Sequence, residues 1–205
     1  MAGTLIRRIG PYSFIPFGIA LDGRCLWVAD AENRYLHQVD LVTGTLIRRL
    51  GSFSFPPFGI ALDGQCLWVA DASHSYLRQV DLVTGTLIRS FGPYSFTPYG
   101  IALDGRCLWV VVIYDNYLCQ VDLVTGTLIR RLGSFSFFPQ GIALDGRCLW
   151  VSDASDSYLH QVDPVSGTLI RSFGPYSFSP LGIALDGRCL WVSDPSNNYL
   201  YQVSV

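Results

Sequence analysis

The sequence predicts an all-β fold, a five-bladed β-propeller with four antiparallel strands per blade, and three observations carry the prediction. The phrase Gly-Thr-Leu-Ile-Arg starts at Gly3, Gly44, Gly85, Gly126 and Gly167, a spacing of 41 residues, and five such periods make up the 205 residues of the chain. A fixed period near 40 residues marks a repeat architecture, in which each unit buries its faces only against its neighbours. Within each period no stretch has helical periodicity; short apolar runs end instead in turn residues, the pattern of one propeller blade. The central run, Cys25-Leu26-Trp27-Val28 in the first repeat, is apolar without alternation. A strand covered on both faces reads this way.

The elements of one blade follow in order. Residues 18–21 form a short apolar strand ending at Asp22-Gly23, a hairpin signal in which both turn residues are expected to accept positive φ. Residues 25–29 return, residues 30–34 form a polar loop, and residues 35–41 make the third strand. Val42-Thr43-Gly44 turns the chain, residues 45–50 make the fourth strand, and residues 51–58 lead to the next blade. The first strand uses the small residues Gly18 and Ala20, which suits the crowded axis where blades converge. The fourth is half polar, with Thr4, Arg7 and Arg8 in its first copy, as a solvated rim requires.

The phase of the repeat predicts how the ring closes. The units are 3–43, 44–84, 85–125, 126–166 and 167–205 completed by 1–2, so the chain begins with a fourth strand and ends with a third. The N-terminal strand is therefore expected to complete the last blade and remove two exposed edges. Gln202-Val203-Ser204-Val205 followed by Met1-Ala2-Gly3-Thr4 matches Gln38-Val39-Asp40-Leu41 followed by Val42-Thr43-Gly44-Thr45. A single domain over 1–205 and a monomer are the corresponding expectations.

Val28-Ala29-Asp30-Ala31-Glu32-Asn33, the step Gln38-Val39-Asp40, and Pro16-Phe17-Gly18-Ile19-Ala20-Leu21-Asp22 together resemble the NHL repeat. The segment Asp40-Leu41-Val42-Thr43-Gly44 and the β-rich run after it are similar to the YVTN-type propeller repeat. The resemblance extends over the whole chain. It implies a propeller and no single function, since these families include scaffolds, protein and RNA binders, and some lyases. The chain departs from them in having five repeats rather than the usual six or seven. Blade three departs further: Val111-Val112-Ile113-Tyr114 stands where blade one has Ala29-Asp30-Ala31-Glu32, and one loop carboxylate is lost.

Composition narrows the function classes. A formal charge of −2 offers no electrostatic attraction for nucleic acid or membrane, and neither is expected as a partner. Residues 107–114, the longest apolar run, are too short to span a bilayer, and residues 1–8 lack the apolar core of a signal peptide. The compartment is not indicated. All 14 basic residues are Arg, and the sequence alone gives no reason for the absence of Lys. Cys25, Cys66, Cys107, Cys148 and Cys189 recur at one repeat position, too far apart by symmetry for disulfides, and are read as buried free thiols; Cys119 stands alone. No Cys-x-x-Cys or His pair repeats, so no metal or other cofactor is expected.

Three residue series have a sharp reading and a plainer one. Asp22, Asp63, Asp104, Asp145 and Asp186 are read as turn residues rather than a carboxylate ring. Asp30, Asp71, Asp153 and Asp194 are read as acceptors of loop amides rather than cation ligands. Trp27, Trp68, Trp109, Trp150 and Trp191 lie mid-strand among apolar neighbours and are read as inter-blade core rather than sugar platforms. His37, His74 and His160 fall at two different repeat positions, so no catalytic constellation repeats, and no catalytic residue is expected.

Differences between the repeats point to one face. They gather at Ile15, Pro56, Thr97, Phe138 and Ser179, at Phe17, Phe58, Tyr99, Gln140 and Leu181, and in the loops 31–34, 72–75, 113–116, 154–157 and 195–198. Both loop sets are expected on the same face, while the opposite turns barely change. A binding face diversified on a fixed scaffold has this pattern, and so does drift in exposed loops. The ten residues named are the candidate binding site, at the mouth of the channel. Glu32, Asp115 and Asp156 make these loops more acidic than basic, which disfavours nucleic acid. The expected function is a non-enzymatic scaffold or recognition module for a protein, peptide or glycan. The alternative is an engineered or excised minimal propeller without a ligand, favoured by the whole-number repeat count and the complementary ends. A lyase or hydrolase is the third reading.

Overall fold

A computed structural model describes residues 3–205. β1 (Leu5–Ile9) opens the chain. Blade one follows as β2 (Ile19–Asp22), β3 (Cys25–Asp30), β4 (Tyr35–Asp40) and β5 (Leu46–Gly51), and blade two as β6 (Ile60–Asp63), β7 (Cys66–Asp71), β8 (Tyr76–Asp81) and β9 (Leu87–Phe91). Blade three is β10 (Pro98–Asp104), β11 (Cys107–Val112), β12 (Tyr117–Asp122) and β13 (Leu128–Gly133). Blade four is β14 (Ile142–Leu144), β15 (Leu149–Asp153), β16 (Tyr158–Val162) and β17 (Leu169–Phe173), and β18 (Ile183–Asp186), β19 (Cys189–Asp194) and β20 (Tyr199–Ser204) belong to blade five. Each blade is a four-stranded antiparallel sheet, and the described residues contain no helix.

Blade five has the order β1-β20-β19-β18, so the N-terminal strand supplies its outer edge as the repeat phase predicts. Leu5 faces Val203 and Ile9 faces Leu200, with a bulge between Leu5 and Arg7. Gly3 N–H donates to the Ser204 carbonyl at 2.7 Å. Met1 and Ala2, which complete the predicted turn, lie outside the described residues. The inner strands touch in a closed circle, β2 with β6, β6 with β10, β10 with β14, β14 with β18, and β18 with β2.

Five apolar cores lie between adjacent blades, each built around one Trp. Trp27 of blade one packs with Phe53, Phe55, Ile60 and Leu67 of the next unit, and Trp191 closes the circle against Phe14, Leu26 and Val28. All five indoles are buried, as expected of core residues. A buried indole N–H requires an acceptor. Trp27 Nε1 donates to Asp22 at 3.3 Å, and Trp68, Trp109 and Trp150 donate to Asp63, Asp104 and Asp145. Four of the five Asp residues are therefore more than turn chemistry, because they anchor core aromatics; in blade five the Trp191 Nε1 is buried without a hydrogen-bond partner.

Two expectations need correction. In the hairpin of blade one Asp22 pairs with Cys25, so the turn residues are Gly23 and Arg24, and only Gly23 has positive φ, at 57°. A two-residue turn needs left-handed φ at both positions only in one of its two favoured forms; this is the other, with Gly first. The five repeated cysteines are free but half-buried, not buried. They sit at the turn end of the second strand, where each blade meets solvent. Cys119 alone is buried.

Candidate functional site

The two variable loop sets emerge together on one face. Phe53 N–H in the connector donates to the Arg34 carbonyl at 2.9 Å, and Tyr94, Phe135 and Tyr176 repeat this with Ser75, Asn116 and Ser157. The connectors therefore lean on the loops beside them, and the loop face is one continuous surface.

At the centre of this face the structure brings together Phe17, Phe58, Tyr99, Gln140 and Leu181. Phe17 meets Phe58 edge-on at 5.5 Å between ring centroids, and Phe58 meets Tyr99 at 5.1 Å. Beneath them Gly18, Gly59, Gly100, Gly141 and Gly182 close on one another. A Cβ on Gly59 would lie 2.0 Å from the Tyr99 carbonyl oxygen, and one on Gly18 would lie 2.4 Å from that of Phe58. Only glycine permits this approach. Gly18 N–H donates to the Phe58 carbonyl at 2.8 Å, stitching blade one to blade two. In blades four and five Ser152 and Ser193 act as relays, each accepting from a glycine N–H (Gly141, Gly182) at 2.7 Å and donating to the carbonyl of Leu181 or Phe17. The free volume enclosed here is about 10 Å³, barely one water. The five mouth residues thus form a plug, and the channel of about 230 Å³ lined by Ile19, Ala20, Leu21 and their repeats lies beyond it.

Ile15, Pro56, Thr97 and Ser179 are half-buried on the connectors, with Ser179 donating to the Ala154 carbonyl at 3.3 Å. Phe138 differs. It is 53 % exposed and forms one wall of a separate, off-axis pocket of about 330 Å³ with Ile113, Tyr114, Pro139 and Gln140. Sequence reasoning placed Phe138 and Gln140 at the channel mouth and missed Ile113 and Tyr114 as partners. The signal was present in the broken pattern of blade three.

That break has a local cause. In the other blades a buried acid holds the loop: Asp30 accepts from Asn33 N–H at 3.0 Å, Asp71 from His74, Asp153 from Ser155 and Asp194 from Ser196. These acids are amide acceptors, as predicted, and several also face a cation or imidazole on the third strand. Asp30 lies 3.2 Å from His37, and Asp71 lies 2.8 Å from Arg78. Burial tends to raise the Asp30 pKa, but hydrogen bonds from His37 and Asn33 outweigh it and hold the carboxyl below its ordinary value. In blade three the acid is Val112 and its partner is Cys119, both fully buried. An ion pair has been exchanged for an apolar pair as a unit, which a buried site tolerates. The loop then lacks its internal acceptor. Ile113 N–H donates to the Thr97 carbonyl at 3.2 Å, and Tyr114 adopts a φ of 79° with its side chain 83 % exposed. A bulky residue in the left-handed region is a true outlier.

Two further titratable groups near this face are shifted by burial. Burial lowers the pKa of His160 despite the nearby Asp153, and its Nδ1 meets Ser172 at 2.9 Å. Burial and the neighbouring Tyr114 push Tyr99 up to about 12. No group of three His, Cys, Asp or Glu residues converges among the described residues.

Fold and face together define a five-bladed β-propeller with one irregular blade. Among solved structures the chain is similar to the glutaminyl cyclase of Myxococcus xanthus, with a TM-score of 0.83 at 13 % identity over 98 % of this chain and 94 % of that one. It is similar to a chain of a nidogen/laminin complex, with a TM-score of 0.69 at 18 % identity over 92 % and 75 %. The computationally designed Ika8 protein aligns with a TM-score of 0.54 at 11 % identity over 91 % and 57 %. At these identities the likeness is one of fold. No protein-family model matches the chain, and no curated protein matches it.

Proposed function

We propose that this chain is a non-enzymatic recognition module of NHL/YVTN-type repeats whose loop face binds a protein, peptide or glycan. The observation that carries the reading is the concentration of side-chain diversity on that face. The frame repeats nearly unchanged, while the loop of blade three has lost its anchoring acid and lines a pocket of about 330 Å³. Pockets of about 300–1,000 Å³ with mostly apolar walls are the usual form of a ligand site. The binding surface proposed is therefore the loop face with its weight on the blade three–four pocket rather than on the plugged axis. The non-catalytic part of the reading is supported by the use of the titratable side chains: His37, His74 and Arg78 are engaged by Asp30 and Asp71.

The test is a panel of displayed peptides and arrayed glycans. Hits are expected to weaken at least tenfold in the Tyr114→Ser/Phe138→Thr variant, a loss of about 1.4 kcal/mol or more, and to persist in Phe58→Ala/Tyr99→Ala. Hits lost only in the second variant would return the site to the axis. The near-identity of the repeats and the likeness to a designed protein favour a second reading, a ligand-free scaffold, and a panel with no hits would support it. The likeness to a glutaminyl cyclase is tested directly. A peptide with N-terminal glutamine is expected to remain uncyclised by mass spectrometry, and turnover abolished by a loop-face substitution would overturn the non-enzymatic reading.

A further inference from the structure

We infer that the pocket between blades three and four takes a planar aromatic group carrying a hydrogen-bond donor, a phenol or indole, with the donor satisfied by the Gln140 side chain. This rests on the recognition reading and names the chemistry of its site. Three observations converge. The walls are mostly apolar and partly aromatic, with Ile113, Tyr114, Phe138 and Pro139 beside the polar Asn116 and Ser155, and both Tyr114 and Phe138 are exposed. The volume, about 330 Å³, exceeds the roughly 150 Å³ that accepts benzene in an apolar cavity, leaving room for a second ring or a substituent. Gln140 also lines the pocket, and its Oε1 is buried without a hydrogen-bond partner.

An unpaired buried acceptor is costly, so such atoms are rare and call for an explanation. The terminal torsion of a Gln side chain is broad and soft. Turning the amide so that Oε1 faces the pocket breaks no hydrogen bond of that oxygen, since it makes none. An aromatic ring seated between Tyr114 and Phe138 brings apolar area to the walls, and an O–H or N–H on its edge gives Gln140 the donor it lacks. The acceptor selects against a purely hydrocarbon ring. The equivalent position carries Phe17, Phe58, Tyr99 or Leu181 in the other blades, none with an amide, so this combination occurs once in the ring.

The repeats themselves supply substitutions suited to the frame. Tyr114→Ser installs the residue of blades two, four and five, Phe138→Thr the residue at Thr97, and Gln140→Leu that of Leu181. The probes are p-cresol and p-xylene, which share a shape and differ in one hydroxyl, titrated by calorimetry or ligand-observed NMR. The parent protein is expected to bind p-cresol about five- to tenfold more tightly than p-xylene, the worth of one net hydrogen bond. Gln140→Leu is expected to abolish that preference without weakening p-xylene, and Tyr114→Ser/Phe138→Thr to weaken both. Equal affinity for the two compounds, no saturable binding of p-cresol, or an undiminished preference in Gln140→Leu would each overturn the inference. The first two outcomes need only the parent protein, so a variant that fails to fold leaves the test intact. N-acetyl-tyrosinamide separates the sources. Affinity equal to or above that of p-cresol assigns the pocket to a side chain of a peptide, and affinity at least tenfold lower assigns it to a free small molecule. If the aromatic probes fail while the peptide or glycan panel yields a binder sensitive to other loops, the recognition reading stands and this inference falls.

Discussion

At the residue scale, the basic side chains explain their own identity. Nine of the fourteen Arg residues lie over aromatic rings: Arg48 over Trp27 at 5.1 Å, Arg89 over Trp68 at 5.0 Å, Arg130 over Trp109 at 4.9 Å. Their Nε–H groups donate at the same time to Gln38, Gln79 and Gln120. A planar guanidinium can stack and donate sideways together, which an ammonium cannot, and this accounts for Arg at the stacked positions; nothing in the structure explains the absence of Lys at the remaining five. The Trp beneath carries the core. Trp68→Ala is expected to cost about 3–5 kcal/mol, read as a shift in urea midpoint, and a variant of unchanged stability would contradict the burial. His160 sets a pH dependence. Its folded pKa lies below the ordinary value because burial disfavours the charged ring. The unfolded chain takes up a proton below about pH 6.5 while the folded chain resists it. Stability from this site is therefore complete above pH 6.5 and declines as pH falls toward the folded pKa. His160→Tyr installs the residue of blade five, where Tyr201 stacks on Phe178 at 4.0 Å. It is expected to lose less stability than the parent between pH 7.5 and 5.5 by chemical denaturation.

At the scale of the element, blade three shows how a strand pair changes as a unit. Val112 and Cys119 occupy the places that Asp71 and Arg78 hold in blade two, where the ions meet at 2.8 Å. Val112→Asp alone buries an unpaired carboxylate and is expected to destabilise by about 3–5 kcal/mol. Adding Cys119→Arg supplies the partner and is expected to recover most of the loss, so a double-mutant cycle reads a coupling well above experimental scatter. Additive effects would mean that the two positions are independent. The same cycle reports on the loop, because an acid at 112 restores the acceptor that holds residues 113–116 in the other blades.

At the scale of the whole molecule, stability depends on the circle being closed. β1 lends its backbone to β20, and Arg7 places its guanidinium over Trp191 at 5.0 Å while Nε donates to Gln202 at 2.9 Å. Removing residues 1–10 takes away the outer strand of blade five and leaves the edge of β20 unpaired, a template for association. The truncated protein is expected to aggregate or to melt well below the parent, measured by light scattering and thermal denaturation. The intact chain is proposed to be a monomer, and a solution mass at a multiple of 22.7 kDa would instead indicate blades shared between chains.

The 41-residue period by itself determined the blade and the number of repeats, and its phase pointed to the strand that closes them, because the first strand read from the sequence is a fourth strand and the last a third. It also determined that Trp27 and its copies are core, since a mid-strand indole flanked by Leu26 and Val28 has nowhere else to go. Only the tertiary structure decided which of the candidate residues line open space. Phe58 and Tyr99 read as a channel mouth, but the carbonyls beneath them approach so closely at Gly59 that the mouth is filled, a matter of ångströms that no pattern encodes. Phe138 and Tyr114 lie 24 positions apart in the sequence and line one pocket, beside the loop where Val112 stands in place of the acid of the other blades. A repeat specifies what its copies share by symmetry, whereas a single site arises where the symmetry fails, and the consequence of that failure is set by the packing between neighbouring blades.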